Sequence, residues 1–79
     1  MIGDDPVAIM GRLRRLLGDL DRANIDLIRL QRGAEPDVKF AADPVKAIAV
    51  DMASALEHLL TRLENSTEYK VAKRPNQPP

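Results

Sequence analysis

The side chains that could act as a base, a nucleophile or a metal ligand are few in this chain, which has one histidine and no cysteine. His58 lies four residues after Ser54, so a helix would place both on one face. Nucleophilic catalysis also needs a group that orients the imidazole and an oxyanion site, and the sequence indicates neither. Carboxylates such as Asp51 or Glu57 would leave a site with a single histidine short of metal ligands. We therefore predict no catalytic residue, no metal site and no cofactor.

Three arginines recur every seven residues, at Arg15, Arg22 and Arg29. A basic row along one helix face can contact the phosphates of a nucleic acid. Asp19 and Asp26 are interleaved with this row, and the whole chain balances twelve basic against twelve acidic residues. Mixed charges of this kind are typical of a solvated helix surface. A nucleic-acid-associated regulator, using this helix and the basic residues of the C-terminal tail, is therefore the first alternative function.

The runs Leu13-Arg14-Arg15 and Leu20-Asp21-Arg22 are similar to the first helix of the all-helical chorismate mutases. This resemblance implies an intertwined helical dimer that binds a dianionic substrate through inward-facing cations. The spacing of the apolar residues instead directs Arg15 and Arg22 away from the apolar side of the helix. A small helical enzyme of that architecture is the second alternative.

Helix one is predicted over about residues 6–32. Asp5 can cap the first free amides and Pro6 suits the first helical position, while Gly33 can adopt the left-handed conformation that ends many helices. Steps of four and three separate the apolar residues, as in coiled coils. These residues are Ile9, Leu13, Leu16, Leu20, Ala23, Leu27 and Leu30, with Met10, Leu17 and Ile28 widening the row on one side.

Helix two is predicted over about residues 44–66, and it opens with the same Asp-Pro pair, Asp43 and Pro44. Apolar residues again share one face, as a helix that packs against a partner requires. They are Val45, Ile48, Ala49, Met52, Ala53, Leu56, Leu59, Leu60 and Leu63. With helix one, this helix predicts an all-α hairpin over residues 1–69.

Residues 33–42 are predicted as the loop of the hairpin, since Pro36 cannot continue a helix interior. Val38 and Phe40 are the apolar residues of this loop, and we expect them to fold over the open end of the helix pair. Residues 70–79 are basic and rich in proline, with too little apolar area to offset the entropy of ordering. We predict a flexible tail there.

A chain of 79 residues buries too small a share of its surface to be comfortably stable alone, and without cysteine or a metal the remaining aid is self-association. Two hairpins that dock through their apolar rows would form a four-helix bundle. Asn24 falls inside the row of helix one, where a buried amide can fix register or oligomeric state, or it lies hydrated at the edge. The predicted self-association residues are Ile9, Leu13, Leu16, Leu17, Leu20, Asn24, Leu27, Met52, Leu56, Leu59 and Leu63.

Gly11 and Gly18 each cost about 1 kcal/mol relative to alanine in a helix interior. With Ile25 and Val50 they form a candidate face for a foreign protein, unless they are simply tolerated on a solvated surface. No signal peptide and no apolar run of roughly 18 residues is evident, so the expected location is the cytoplasm, without a membrane partner. The main hypothesis is a small non-catalytic protein–protein interaction module, of a composition that suits a bacterial or phage protein, acting as an adaptor, assembly factor or inhibitor.

Overall fold

The fold is known from a computed structural model that describes residues 5–73. Three helices make up this part of the chain: α1 (Pro6–Gly33), α2 (Pro36–Glu64) and α3 (Thr67–Lys73). No strand occurs between residues 5 and 73. The prediction of an all-helical fold is confirmed.

The start of α1 follows the capping chemistry predicted from the sequence. The Asp5 carboxylate accepts a hydrogen bond of 3.0 Å from the backbone N–H of Val7, and Pro6 occupies the first helical position. The end of α1 differs from the prediction, because Gly33 does not adopt a positive φ. Instead Ala34 and Glu35 are extended. The ring of Pro36 disfavours helical geometry in the residue before it, so an extended link replaces the left-handed glycine.

The predicted loop over residues 33–42 is wrong, because α2 already begins at Pro36. Proline at the first helical position loses no hydrogen bond, since that N–H would have no partner in the helix. The helix then continues through Pro44, which costs one intrahelical hydrogen bond, about 3 kcal/mol in a typical interior. Packing of the neighbouring Ala42 and Ala49 against α1 holds these turns in place.

The two long helices run antiparallel as a hairpin. Near the link, Gln31 of α1 donates a 2.7 Å hydrogen bond to Asp43 of α2. The predicted capping residue of helix two therefore ties α2 to α1. At the opposite end Arg14 and Glu64 form an ion pair at 3.4 Å.

A small apolar cluster closes the end of the hairpin that lies away from the link. Met10, Leu56, Leu60 and Tyr69 are its buried members. Tyr69 comes from α3, which the sequence analysis did not predict; Ser66 caps this helix by accepting a hydrogen bond of 3.2 Å from the backbone N–H of Tyr69.

The predicted flexible tail is thus wrong for residues 70–73, which are helical, while residues 74–79 lie outside the described part of the chain. Tyr69 is only 4% exposed, and the Lys73 ammonium lies 5.7 Å from the centre of its ring. Tyr69 therefore covers the end of the hairpin that lies away from the link, whereas the prediction that Val38 and Phe40 fold over an end of the helix pair is wrong. Those two residues lie in the first turns of α2 and are exposed, Phe40 by 82%.

Candidate interaction surface

Two apolar stripes run along α2, and only one of them is covered by α1. The covered stripe consists of Ala42, Ala49, Leu56 and Leu60. The other stripe, which we call the α2 open stripe, consists of Val38, Ala41, Val45, Ile48, Met52, Ala55 and Leu59, all exposed. Its members are separated by steps of three and four residues. Several directly precede a covered residue, so the two stripes lie about 100° apart around the helix.

The open stripe exposes large side chains, as Ile48 (66%) and Leu59 (49%) show. The neighbouring Ala49 and Leu60 are buried. Single exposed apolar side chains are ordinary, but a continuous row of them is typical of an interaction site.

A further apolar stripe lies on α1, beside the α2 open stripe. We call this the α1 open stripe; its members are Ile9, Leu16, Ala23, Leu27 and Leu30, of which Leu16, Ala23 and Leu30 are exposed and Ile9 and Leu27 partly buried. Ile9, Leu16 and Ala23 each directly precede a residue that is turned toward α2, as Ile9 precedes Met10.

Both stripes lie on the same side of the hairpin. In two right-handed helices that run in opposite directions, a residue one position before a contact residue points to the same side in either helix. The two stripes together therefore form one surface, the open face. It is apolar along α2, while on α1 the exposed Arg12 and Asp19, which directly precede Leu13 and Leu20, lie between its apolar residues.

The predicted self-association residues divide between the open face and the core of the hairpin. Leu56 is buried in the cluster at its end, and Leu13, Leu17, Leu20 and Leu63 pack against that cluster from the same chain. Five others lie on the open face with at least part of their surface accessible: Ile9, Leu16, Leu27, Met52 and Leu59.

Val38, Val45 and Ile48 are not among the predicted self-association residues. Val38 fell in the predicted loop, whereas Val45 and Ile48 were placed on the apolar face of helix two but were not assigned to self-association. No signal in the sequence distinguished the stripe that α1 covers from the stripe that it leaves open.

Asn24 is half-buried in the part of α1 that is turned toward α2. Its side-chain oxygen Oδ1 is buried without a hydrogen-bond partner. An unpaired buried acceptor costs about 1–3 kcal/mol. The amide is therefore a local weakness of the hairpin.

The arginine row of α1 is paired with the acids interleaved in it. Arg22 forms an ion pair with Asp19 at 2.8 Å, and Arg29 lies 3.6 Å from Asp26. These side chains are more than half exposed, so such pairs contribute little to stability. The face that they form is solvated and carries both signs of charge.

Gly11, Gly18, Ile25 and Val50 lie away from the open face. Each follows a residue of an open stripe by two positions, about 200° further around its helix. A Cβ atom at Gly11 would meet nothing within 4 Å, and one at Gly18 would meet only the Arg22 side chain at 4.0 Å. Ile25 and Val50 are exposed.

The remaining candidates for chemistry are on the surface. His58 is exposed, with its Nε2 atom 3.5 Å from an Arg62 guanidinium nitrogen, and Ser54 is exposed as well. Within residues 5–73 the structure shows no cavity and no group of three potential metal-ligating side chains. None of the described helices combines the length and apolar character needed to cross a membrane.

Comparison of the chain with protein-family models, with curated protein sequences and with solved structures gave no match.

Proposed function

We propose that this protein is a non-catalytic protein–protein interaction module that works as a homodimer, in which two hairpins dock through their open faces to form a four-helix bundle. The observation that supports this most directly is the continuous α2 open stripe, where Val38, Val45, Ile48, Met52 and Leu59 are all at least 40% exposed. A second copy would remove these side chains from water, which is the dominant favourable term in most protein association.

The size of the open face fits a stable dimer. A helix of 29 residues is about 43 Å long at 1.5 Å per residue, and the hairpin is 18 Å wide, so one side offers roughly 770 Å². Specific protein interfaces of standard size bury about 800 Å² on each partner. A standard interface would therefore occupy the whole open face.

The angle between the two stripes of α2 also fits a bundle. In a square arrangement of four helices each helix has two neighbours, roughly 90° apart around its axis. The covered and open stripes of α2 are about 100° apart. One stripe serves the neighbour within the chain and the other serves the neighbour from the second copy.

A dimer of this kind leaves the side with Gly11, Gly18 and Ile25 accessible. In the proposed function this side, with Val50, receives a foreign protein. The dimer then acts as an adaptor, assembly factor or inhibitor with two equivalent binding sites.

Light scattering at micromolar concentration tests the proposal. We expect a mass of twice 8.7 kDa for the wild type. Ile48→Lys puts a charge in the middle of the α2 open stripe, so this variant should be monomeric while its circular dichroism remains helical. Phe40→Lys is the matched control, because Phe40 is more exposed than Ile48 but lies further around α2, outside the stripe.

The control variant should remain dimeric. A wild-type protein that stays monomeric up to high micromolar concentration would refute the proposal, and so would a dimer that Ile48→Lys leaves intact.

A further inference from the structure

We infer that α2 has a second starting point at Pro44, and that residues 36–43, which we call the leading segment, open as one unit while the rest of the hairpin stays folded. In the open state Asp43 caps the shortened helix, and residues 34–43 form a loop. The inference concerns a single chain and does not depend on the proposed dimer.

Pro44 separates the leading segment from the rest of α2. Proline has no N–H to donate to the carbonyl of Phe40, four residues earlier, and its ring crowds that carbonyl. The ring also disfavours helical geometry in the preceding residue, yet Asp43 is helical. At Pro36 the same preference is satisfied, because Glu35 has a ψ of 152°. The turn that joins the leading segment to Pro44 is therefore the weakest turn of α2.

The two starting points of α2 differ in capping. Glu35 precedes the observed start, and among the described residues its side chain caps no amide of α2. Asp43 and Pro44 repeat the Asp-Pro pair that begins α1, where Asp5 accepts the 3.0 Å hydrogen bond from Val7. Aspartate is among the preferred capping residues and glutamate is not. A helix that starts at Pro44 thus has the better cap, which offsets part of the helical hydrogen bonds lost on opening.

Few tertiary contacts hold the leading segment in the helix. Ala42 is its one buried residue, while Val38 and Phe40 are 40% and 82% exposed. Its polar contact with α1 is the 2.7 Å hydrogen bond that Gln31 donates to Asp43. A segment that buries so little apolar surface opens at a lower free energy than the core of the fold.

The carboxylate of Asp43 therefore has one partner in each state. In the closed state it accepts from Gln31. In the open state it accepts from the backbone N–H of Val45 or Lys46, the amides that a cap at this position serves. Opening releases the contact of Ala42 with α1 and places Val38 and Phe40 in a loop of ten residues. The exchange of one hydrogen bond for another makes the leading segment a two-state element of the fold.

Amide hydrogen exchange followed by NMR tests this inference. Opening breaks the helical hydrogen bonds of the amides of residues 39–43, whereas the amides from Ala47 onward keep theirs. We expect one common degree of protection over residues 39–43 and a step to higher protection after Pro44. Protection that instead rises gradually from residue 39 to residue 60 would indicate ordinary fraying and would overturn the inference.

Pro44→Ala restores the missing helical hydrogen bond and removes the crowding ring. An interior proline disfavours a helix by about two orders of magnitude in the equilibrium constant, so exchange over residues 39–43 should slow by roughly 100-fold. Pro36→Ala is the matched control, because proline at the first helical position loses no hydrogen bond, and its rates should stay close to those of the wild type. Unchanged exchange in Pro44→Ala would contradict the inference.

The cap is tested in a Gln31→Ala background, where Asp43 has lost its partner in the closed state. Adding Asp43→Ala then removes only the cap of the open state, so exchange over residues 39–43 should slow by roughly five-fold. Asp43→Asn still caps and should leave the rate of the background unchanged. Unchanged or faster exchange with Asp43→Ala would overturn the second starting point. Light scattering of the same samples reports the oligomeric state separately, so failure of the proposed dimer is distinguished from failure of this inference.

Discussion

Leu59 and Leu60 are neighbours in the sequence, yet they belong to two different surfaces of α2. Leu60 is 8% exposed and packs in the cluster with Met10 and Tyr69, whereas Leu59 is 49% exposed on the open face. The residue type and the spacing of the two stripes are alike. What separates them is only the direction in which α2 returns along α1 after the link.

The short link is the physical reason for this difference. With only Ala34 and Glu35 between the helices, α1 must lie directly against α2, and one helix can cover no more than one side of another. The stripe on the other side is then left uncovered by α1. The comparison thus separates residues that hold the hairpin together from residues that we expect to hold the dimer together.

The largest loss of stability is expected from a substitution in the covered stripe. Leu60→Ala removes a buried leucine from the cluster at the end of the hairpin, and such truncations cost about 2–5 kcal/mol. Urea unfolding followed by circular dichroism measures this loss of the free energy of unfolding. Because the contact lies within one chain, the loss should not depend on protein concentration.

Leu59→Ala is the matched variant on the open stripe. It should lower the stability of a dilute sample little, and lower that of a concentrated sample more, because dimerisation stabilises the fold by mass action. Sedimentation equilibrium should show a larger Kd. Equal, concentration-independent losses in the two variants would remove the distinction between the stripes.

Much of the hairpin could be predicted from the sequence, because its signals are local. The Asp5-Pro6 pair sets the start of α1 through the hydrogen bond to Val7, and this prediction agrees with the structure. The regular spacing from Ile9 to Leu30 gave the length of α1 almost to its end. These features depend on neighbouring residues alone.

The other features of the fold depend on tertiary contacts, which the local sequence does not specify. Pro36 is compatible with a loop and with the first position of a helix, and Pro44 is tolerated inside α2 because the surrounding turns pack on α1. The short α3 is held by the burial of Tyr69, a tertiary contact. Which leucines face α1 also follows from the direction of the hairpin, so Leu56 and Leu63 were assigned to self-association although they pack within one chain.

A smaller change in stability is expected from a substitution of Asn24, which lies on the part of α1 that is turned toward the covered stripe. Its Oδ1 atom is buried and has no partner within the described chain. Asn24→Leu should therefore stabilise the hairpin by about 1 kcal/mol, the lower part of the cost of an unpaired buried polar atom. Thermal unfolding gives the measurement.

If Asn24→Leu instead destabilises the protein, or changes its oligomeric state in light scattering, the amide makes a hydrogen bond in the dimer. The role predicted from the sequence, the fixing of register, would then be supported. Gln31→Leu is a suitable comparison, because Gln31 is also turned toward α2 but already donates to Asp43. That variant should lose stability.

The smallest effect concerns Asp51, which directly precedes Met52 and lies at the outer edge of the open face. In the proposed dimer this edge approaches the second copy, which carries the same carboxylate, so Asp51→Asn should remove a weak repulsion. Exposed charge pairs are worth a few tenths of a kcal/mol, which corresponds to a Kd roughly two-fold lower. The gain should shrink at high salt, because the repulsion is screened.

Glu57→Gln is the control variant. Glu57 is an exposed acid away from the open face, so this substitution should leave the Kd unchanged. A weaker dimer from Asp51→Asn would mean that this carboxylate meets a cation of the second copy.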